Sequence, residues 1–339
     1  MGMLASLRGR GLLRELSPYL ILGVMVLVLA LVPTLTTHEV TYANLYNVFQ
    51  NFAALGLVAL ALGITMIAGE FDLSVAAMYS LGGMIAVLTG VQHPVLGVLA
   101  ALGVAAIAGF VQGGLIAALR MNSMPITLGG YLVIVGVTYL VAHDKSVAYE
   151  NYGVGLWLDD QKLRIFSPRS LISLAVFAIV AVGMRYTRVG RDVKAVGGGR
   201  RSSRIAGVPV DRLLIGVFVF SAVTAALPGA LLTYSLASAA PNIGLDQLAF
   251  SATAALIGGI GLAGGRGSPV GILAGVLSLS ILQELLVITA QPEYIRTLIT
   301  GLLLLTVTVV WAPDLGHWLK TFGVGRADHG EERPAAPLP

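Results

Sequence analysis

The sequence predicts an all-α polytopic membrane protein of about ten transmembrane helices, and three observations lead there. The chain is 56% hydrophobic and only 11% charged, with mean hydropathy +0.86, whereas a water-soluble protein carries about a quarter of its residues as charges. Its 339 residues contain apolar runs near 19–35, 48–68, 73–91, 94–119, 126–142, 170–184, 213–235, 248–263, 270–290 and 294–312, most of them close to the ~20 residues that a spanning helix takes. Alternating these runs through a membrane also sorts Lys and Arg very unequally between the two sides.

The first run follows Arg8, Arg10 and Arg14. Ala30-Leu31-Val32-Pro33 offers no small-x-small cleavage site, so this run is read as a retained span rather than a removable leader. Runs two and three are separated by residues 69–72, and runs eight and nine by 264–269; at both places a turn between helices and a break within one look alike. With the N-terminus inside, sixteen of the 21 Lys and Arg fall on the inner side, while Lys145, Lys162, Arg164, Arg169 and Arg296 fall on the outer side. A missed or extra span in the middle would scramble that asymmetry, so both termini are expected in the cytoplasm. The expected divisions are a cytoplasmic N-terminus over 1–18, a transmembrane domain over 19–312, and a polar, Pro-rich cytoplasmic tail over 313–339 that is expected to be disordered.

Two connections are long. Residues 143–169 are outer and mixed in charge, with Tyr149, Tyr152 and Trp157 as interfacial anchors or as part of a docking surface. Residues 185–212 are inner and hold Arg185, Arg188, Arg191, Lys194, Arg200, Arg201, Arg204 and Arg212 against Asp192 and Asp211. Anionic lipid attracts such a segment without any protein partner.

Several chemistries drop out. There is no cysteine, hence no disulfide, thiol metal site or cysteine nucleophile. A net charge of +4 is too small to point to nucleic acid. Gly259-Ile260-Gly261-Leu262-Ala263-Gly264 has dinucleotide spacing but lies in an apolar stretch, framed by no strand and no downstream acid. No G-x-x-x-x-G-K-[ST] occurs, so any driving ATP must be bound by another subunit. His38, His93, His143, His317 and His329 lack metal-ligand spacing. The expectation is a protein that is not an enzyme and carries no cofactor.

Glycine is more informative. Gly109-x-x-x-Gly113 and Gly267-x-x-x-Gly271-x-x-x-Gly275 have the spacing that lets helix backbones approach closely in lipid. A carboxylate at the centre of a membrane costs about 2.5–3.5 kcal/mol on insertion scales, so Glu70 and Asp72 need an interface or a protein-lined cavity. Either 69–72 is a tight cytoplasmic turn with Asp72 capping the next helix at Ser74 or Val75, or it is a break between half-helices lining a polar path. A similar Gly-interrupted string occupies 257–265 in the second half.

Four segments carry a family resemblance, in order, across roughly residues 45–312. Ala68-Gly69-Glu70-Phe71-Asp72-Leu73-Ser74-Val75, Pro125-Ile126-Thr127-Leu128-Gly129, Gly190 to Gly198 followed by Ile205-Ala206-Gly207-Val208, and Leu256-Ile257-Gly258-Gly259 through Gly264-Gly265-Arg266-Gly267 resemble the ribose-type sugar permeases, membrane subunits of ABC importers for monosaccharides. The resemblance implies a ten-helix, type II-like importer permease in the cytoplasmic membrane. It implies as partners a second permease subunit (homodimer or paralogue heterodimer), a cytoplasmic ABC ATPase that binds the ATP, and an external sugar-binding protein, besides the membrane lipid. It makes 188–211 the coupling loop, with Arg191, Asp192, Ala195, Val196, Gly197, Arg200, Arg204, Ile205 and Gly207 contacting the ATPase. Gly197 to Gly199 would break a long helix there, giving two pieces near 190–196 and 200–206. It places Glu70, Phe71, Asp72, Ser74, Thr127, Gly258 and Gly259 along the translocation pathway. The chain departs from the family at Gly199, where asparagine is usual, at Arg200, near which an acidic residue is usual, and at Glu70, where a glycine or similar residue is usual. The implied function is uptake of a pentose, hexose or related compound; the alternative is a proton-coupled secondary transporter using Glu70 or Asp72.

Overall fold

The computed structural model describes residues 2–35, 39–162, 164–241 and 245–311; the expected tail at 313–339 lies outside them. The described chain is a helical bundle: α1 (Gly2–Leu35), α2 (Tyr42–Ile67), α3 (Val75–Thr89), α4 (Pro94–Leu119), α5 (Ser123–Ala142), α6 (Tyr152–Leu158), α7 (Pro168–Tyr186), α8 (Arg188–Gly198), α9 (Arg200–Ile205), α10 (Val210–Ser235), α11 (Leu245–Ile257), α12 (Pro269–Ile288) and α13 (Glu293–Trp311), with a two-residue strand pair, β1 (Val147–Ala148) and β2 (Ser238–Ala239). Six helices, α2, α4, α5, α7, α10 and α12, are long and apolar enough to cross a membrane; Leu16–Val32 within α1, α3, and Gln247–Ile257 within α11 are shorter apolar helices.

Each expected apolar run falls on a helix, but the bounds differ where glycine intervenes. The run at 248–263 ends as helix at Ile257, because Gly258 and Gly259 turn the chain. α1 is helical back to Gly2, well before the apolar run begins. α6 and the strand pair, in the long connection 143–167 and the segment after α10, carried no periodic signal.

α2 sits at the centre: from Phe52 to Ile67 nearly every side chain is buried, because α3, α7, α10, α11 and α12 surround it. α4, α5 and α7 instead expose apolar side chains such as Ile107, Leu132, Val133, Leu140 and Ile179, an arrangement suited to a lipid solvent. Helices meet through glycine, as its spacing predicts. A Cβ at Gly109 of α4 would lie 2.6 Å from the Phe218 carbonyl of α10, and one at Gly275 of α12 would lie 2.1 Å from the Ala254 carbonyl of α11.

Connections sort to two ends. At one, β1 pairs antiparallel with β2, the Tyr149 hydroxyl donates to the Gly90 carbonyl (3.0 Å), and the Tyr46 hydroxyl donates to the Asp159 carbonyl (2.6 Å). Tyr149 is therefore no interfacial anchor: it is buried and stacks on Tyr234 at 4.5 Å, while Tyr152 and Trp157 are exposed. The other end holds α8, α9, the α2–α3 turn, the α4–α5 turn and the α11–α12 loop. Glu150 and Arg201, both exposed, lie at opposite ends. In a chain free of native thiols, Glu150→Cys and Arg201→Cys should react with a membrane-impermeant maleimide from opposite faces; labelling from one face would reverse this topology.

Candidate functional site

Three helices that carry the glycine strings stop in the same way. After α2, the Gly69 amide donates to the Met66 carbonyl (3.0 Å) and the Glu70 amide to the Thr65 carbonyl (2.9 Å), with Gly69 at φ +80°. After α11, Gly259 and Ile260 donate to Leu256 and Ala255 (2.9 and 3.2 Å). After α9, Gly207 and Val208 donate to Arg204 and Ser203 (3.1 and 3.0 Å). Each is a Schellman stop, which needs a left-handed residue one position past the cap. The likeness between the strings at 68–75 and 257–265 is thus a shared way of ending a helix.

The stops meet. A Cβ at Gly197, near the end of α8, would lie 1.9 Å from the Ile67 carbonyl and 2.5 Å from the Gly265 amide. One at Gly264 would lie 2.7 Å from Gly69 Cα and 2.8 Å from the Gly197 carbonyl, and the Gly265 amide donates to the Ile67 carbonyl (2.9 Å). Backbone touches backbone at this three-way junction of α2, α8 and the α11–α12 loop.

Beyond Glu70 the turn enters a polar cluster. Asp72, 1% exposed, accepts from the Ser74 amide (2.9 Å) and hydroxyl (2.6 Å) and from the Ser221 hydroxyl of α10 (2.7 Å). Ser74 Oγ also lies 2.9 Å from the Gln112 amide group of α4. The Phe71 amide donates to Ser123 Oγ (2.9 Å), and its carbonyl accepts from Thr127 Oγ1 (3.1 Å). Of the two geometries open from sequence, the hydrogen bonding is that of the turn, with Asp72 capping α3 through Ser74. The difference lies in burial, since this cap is enclosed by α4, α5 and α10 and each carboxylate oxygen has a donor.

Glu70, Phe71, Asp72, Ser74 and Thr127 are thereby brought together. Gly258 and Gly259 are apart from them, at the stop of α11; a Cβ at Gly258 would meet the Gly271 carbonyl of α12 at 2.6 Å.

α8 and α9 are two pieces joined at Gly199. On α8, Gly190, Val193 and Val196 are buried while Arg191, Lys194 and Ala195 are exposed and Asp192 is half-buried. The Thr187 hydroxyl caps it at the Gly190 amide. On α9, Arg204 pairs with Asp211 at 2.7 Å, Ile205 is 81% exposed, and Arg200 forms an ion pair with buried Glu70. Arg120, Arg200, Arg201 and Arg204 line a basic cavity of about 500 Å³ beside α9.

Sequence reasoning missed a second polar cluster, at the opposite end. Buried Arg169 pairs with Asp159 (3.1 Å) and donates to Gln50 Oε1 (2.9 Å), which also accepts from Ser167 (3.0 Å). Glu284 of α12, 2% exposed, accepts from Asn44 (2.8 Å) and Asn47 (3.1 Å) of α2. Glu284 stands inside an apolar run, so the insertion cost that singles out Glu70 and Asp72 applies equally to it.

Residues 44–308 match the family described as branched-chain amino acid transport system / permease component. The chain belongs to this permease family. It is 28% identical over 292 residues to the ribose import permease protein RbsC of Escherichia coli, covering 84% of this chain and 91% of that one. It is 29% identical to the fructose import permease protein FrcC of Rhizobium meliloti (77% and 76% covered). It is also 29% identical to the L-arabinose ABC transporter permease protein AraH of Azospirillum brasilense (84% and 85%). No solved structure matches the chain.

Proposed function

We propose that this chain is the permease subunit of an ABC importer that takes up a monosaccharide handed over by an external binding protein, driven by a separate ATPase that docks on α8 and α9. The observation that carries this reading is the convergence at one end of the bundle: α8, the α2–α3 turn and the α11–α12 loop close on a junction of glycines, and the first turns of α5 hold Phe71 beside it. A push on α8 therefore reaches the end of α2 and the α11–α12 loop by direct contact, without slack side chains between. Exposed Arg191, Lys194, Arg201 and Ile205 give that face the charge and the apolar contact to receive an acidic partner surface. Relatives named for ribose, fructose and arabinose import support a sugar as cargo. The reading includes a second permease subunit, identical or paralogous, and a position in the cytoplasmic membrane with both termini inside.

The alternative, a proton-coupled secondary transporter using Glu70 or Asp72, fits the geometry less well. Glu70 is matched by Arg200, and Asp72 is enclosed by donors on Ser74 and Ser221, which leaves neither free to exchange protons with water. Proteoliposomes holding the chain with its ATPase and binding protein are expected to accumulate labelled pentose or hexose on ATP addition, and to continue after a protonophore collapses the pH gradient. Uptake that stops with the gradient, or proceeds in the chain alone, selects the secondary transporter.

A further inference from the structure

Glu70 is 4% exposed, and burying a carboxylate without a counter-charge costs several kcal/mol per ion. The backbone at Glu70 is held in place, since its own amide closes the stop of α2 on Thr65 (2.9 Å). Arg200 meets it from the first residue of α9. The Arg200 side chain keeps about a third of its surface in solvent, so the pair joins a buried turn to α9 at the surface. Among the described residues, α8 and α9 make no other hydrogen bond or ion pair to the 68–74 turn. Beside the pair lie the glycine junction and the apolar cluster that Val193 of α8 shares with Ile67 and Ala68, neither of which is a polar tie between α9 and the turn. Two residues past Glu70, Asp72 carries the start of α3 and is tied to α10.

We propose that Glu70 and Arg200 form a strut that stays closed through the transport cycle and returns the pull of α9 to the α2–α3 turn, so that both residues position the turn rather than contact cargo. This rests on the importer reading above. Pushing travels through the glycine contacts and pulling through the ion pair, so a chain without the pair should still admit ATP hydrolysis by its partner while moving less sugar per ATP.

The test uses the full chain assembled with its ATPase and binding protein. Because the chain lacks native cysteine, the double variant Glu70→Cys/Arg200→Cys can be studied reduced or joined by a short bifunctional maleimide. Reduced, it should lose about tenfold in sugar moved per ATP hydrolysed, a ratio taken per ATPase retained, within the range usual for coupling between sites. Joined, it should recover to within about twofold of the native ratio. A second variant, Arg200→Lys, keeps the charge and should hold most of the native ratio, whereas Arg200→Gln should behave like the reduced double variant. A native ratio in the reduced double variant, or a joined form that stays uncoupled, overturns the strut. Failure of the native chain to take up sugar with ATP would sink the importer reading instead, so the two failures are separable.

Discussion

Gly197→Ala should leave the chain inserted in the membrane but strip the ATPase from it by about tenfold or more, while Gly198→Ala should leave the complex intact. The two neighbours make a matched pair. Both lie at the end of α8, and alanine favours helix over glycine by about 1 kcal/mol at either. Their surroundings differ completely: a methyl at Gly197 would lie 1.9 Å from the Ile67 carbonyl and 2.5 Å from the Gly265 amide, whereas Gly198 has nothing within 4 Å. Both neighbours of Gly197 are backbone, fixed by the Gly265–Ile67 hydrogen bond, so relief requires α8 to lift. Overpacking of this kind costs about 1–3 kcal/mol, and about 1.4 kcal/mol is a factor of ten in an association constant. The measurement is the amount of ATPase retained on tagged permease after detergent extraction. Equal retention by the two variants would detach the junction from motor docking.

How much of this was legible in advance depends on the range of the interaction. Helix positions were readable because an apolar run long enough to cross lipid announces itself within 20 residues, and the bend after α8 because a run of glycines favours a break, though Gly197 and Gly198 stay helical and the chain turns only at Gly199. The end of α11 was misread by six residues because hydropathy treats Gly258 and Gly259 as permissive, while backbone geometry makes Gly259, at φ +79°, a stop. Tyr149 looked like an interfacial anchor because a loop aromatic usually is one; its stacking partner Tyr234 is 85 positions away, and nothing local declares it. The polar pairs lie furthest from view. Glu70 and Arg200 each stand out against the family, but that they answer one another depends on α9 folding back onto the α2–α3 turn. Glu284 was hidden by its own run, and only the arrival of Asn44 and Asn47 explains how a carboxylate is tolerated there.

Asp72→Leu should prevent a stable chain from accumulating, whereas Asp72→Asn should give a folded protein of lowered thermal stability and correspondingly lowered uptake. The contrast follows from what the carboxylate receives. Leucine would fill the space but leave two donors without the acceptor they have, the Ser74 amide and the Ser221 hydroxyl, while the Ser74 hydroxyl would keep only Gln112 Oε1. Each unmet buried donor costs about 1–3 kcal/mol, against a total stability of about 5–15 kcal/mol for a typical fold. Asparagine keeps one carbonyl oxygen for the Ser74 amide, and its NH2 can donate to Ser221, whose hydroxyl rotates to accept; what disappears is the charge that strengthens all three bonds. Ser221→Ala removes a single donor from the charged acceptor and should cost about 1.5–3 kcal/mol, placing it nearer to asparagine than to leucine. Melting of the detergent-solubilised chain, read beside uptake, separates the two roles that sequence assigns to this position. A clamp makes stability and uptake decline together across the series. An asparagine variant with native melting and no uptake would instead place Asp72 in the path of the cargo, because only a group that meets the substrate can fail in transport while the fold around it stays as firm as before.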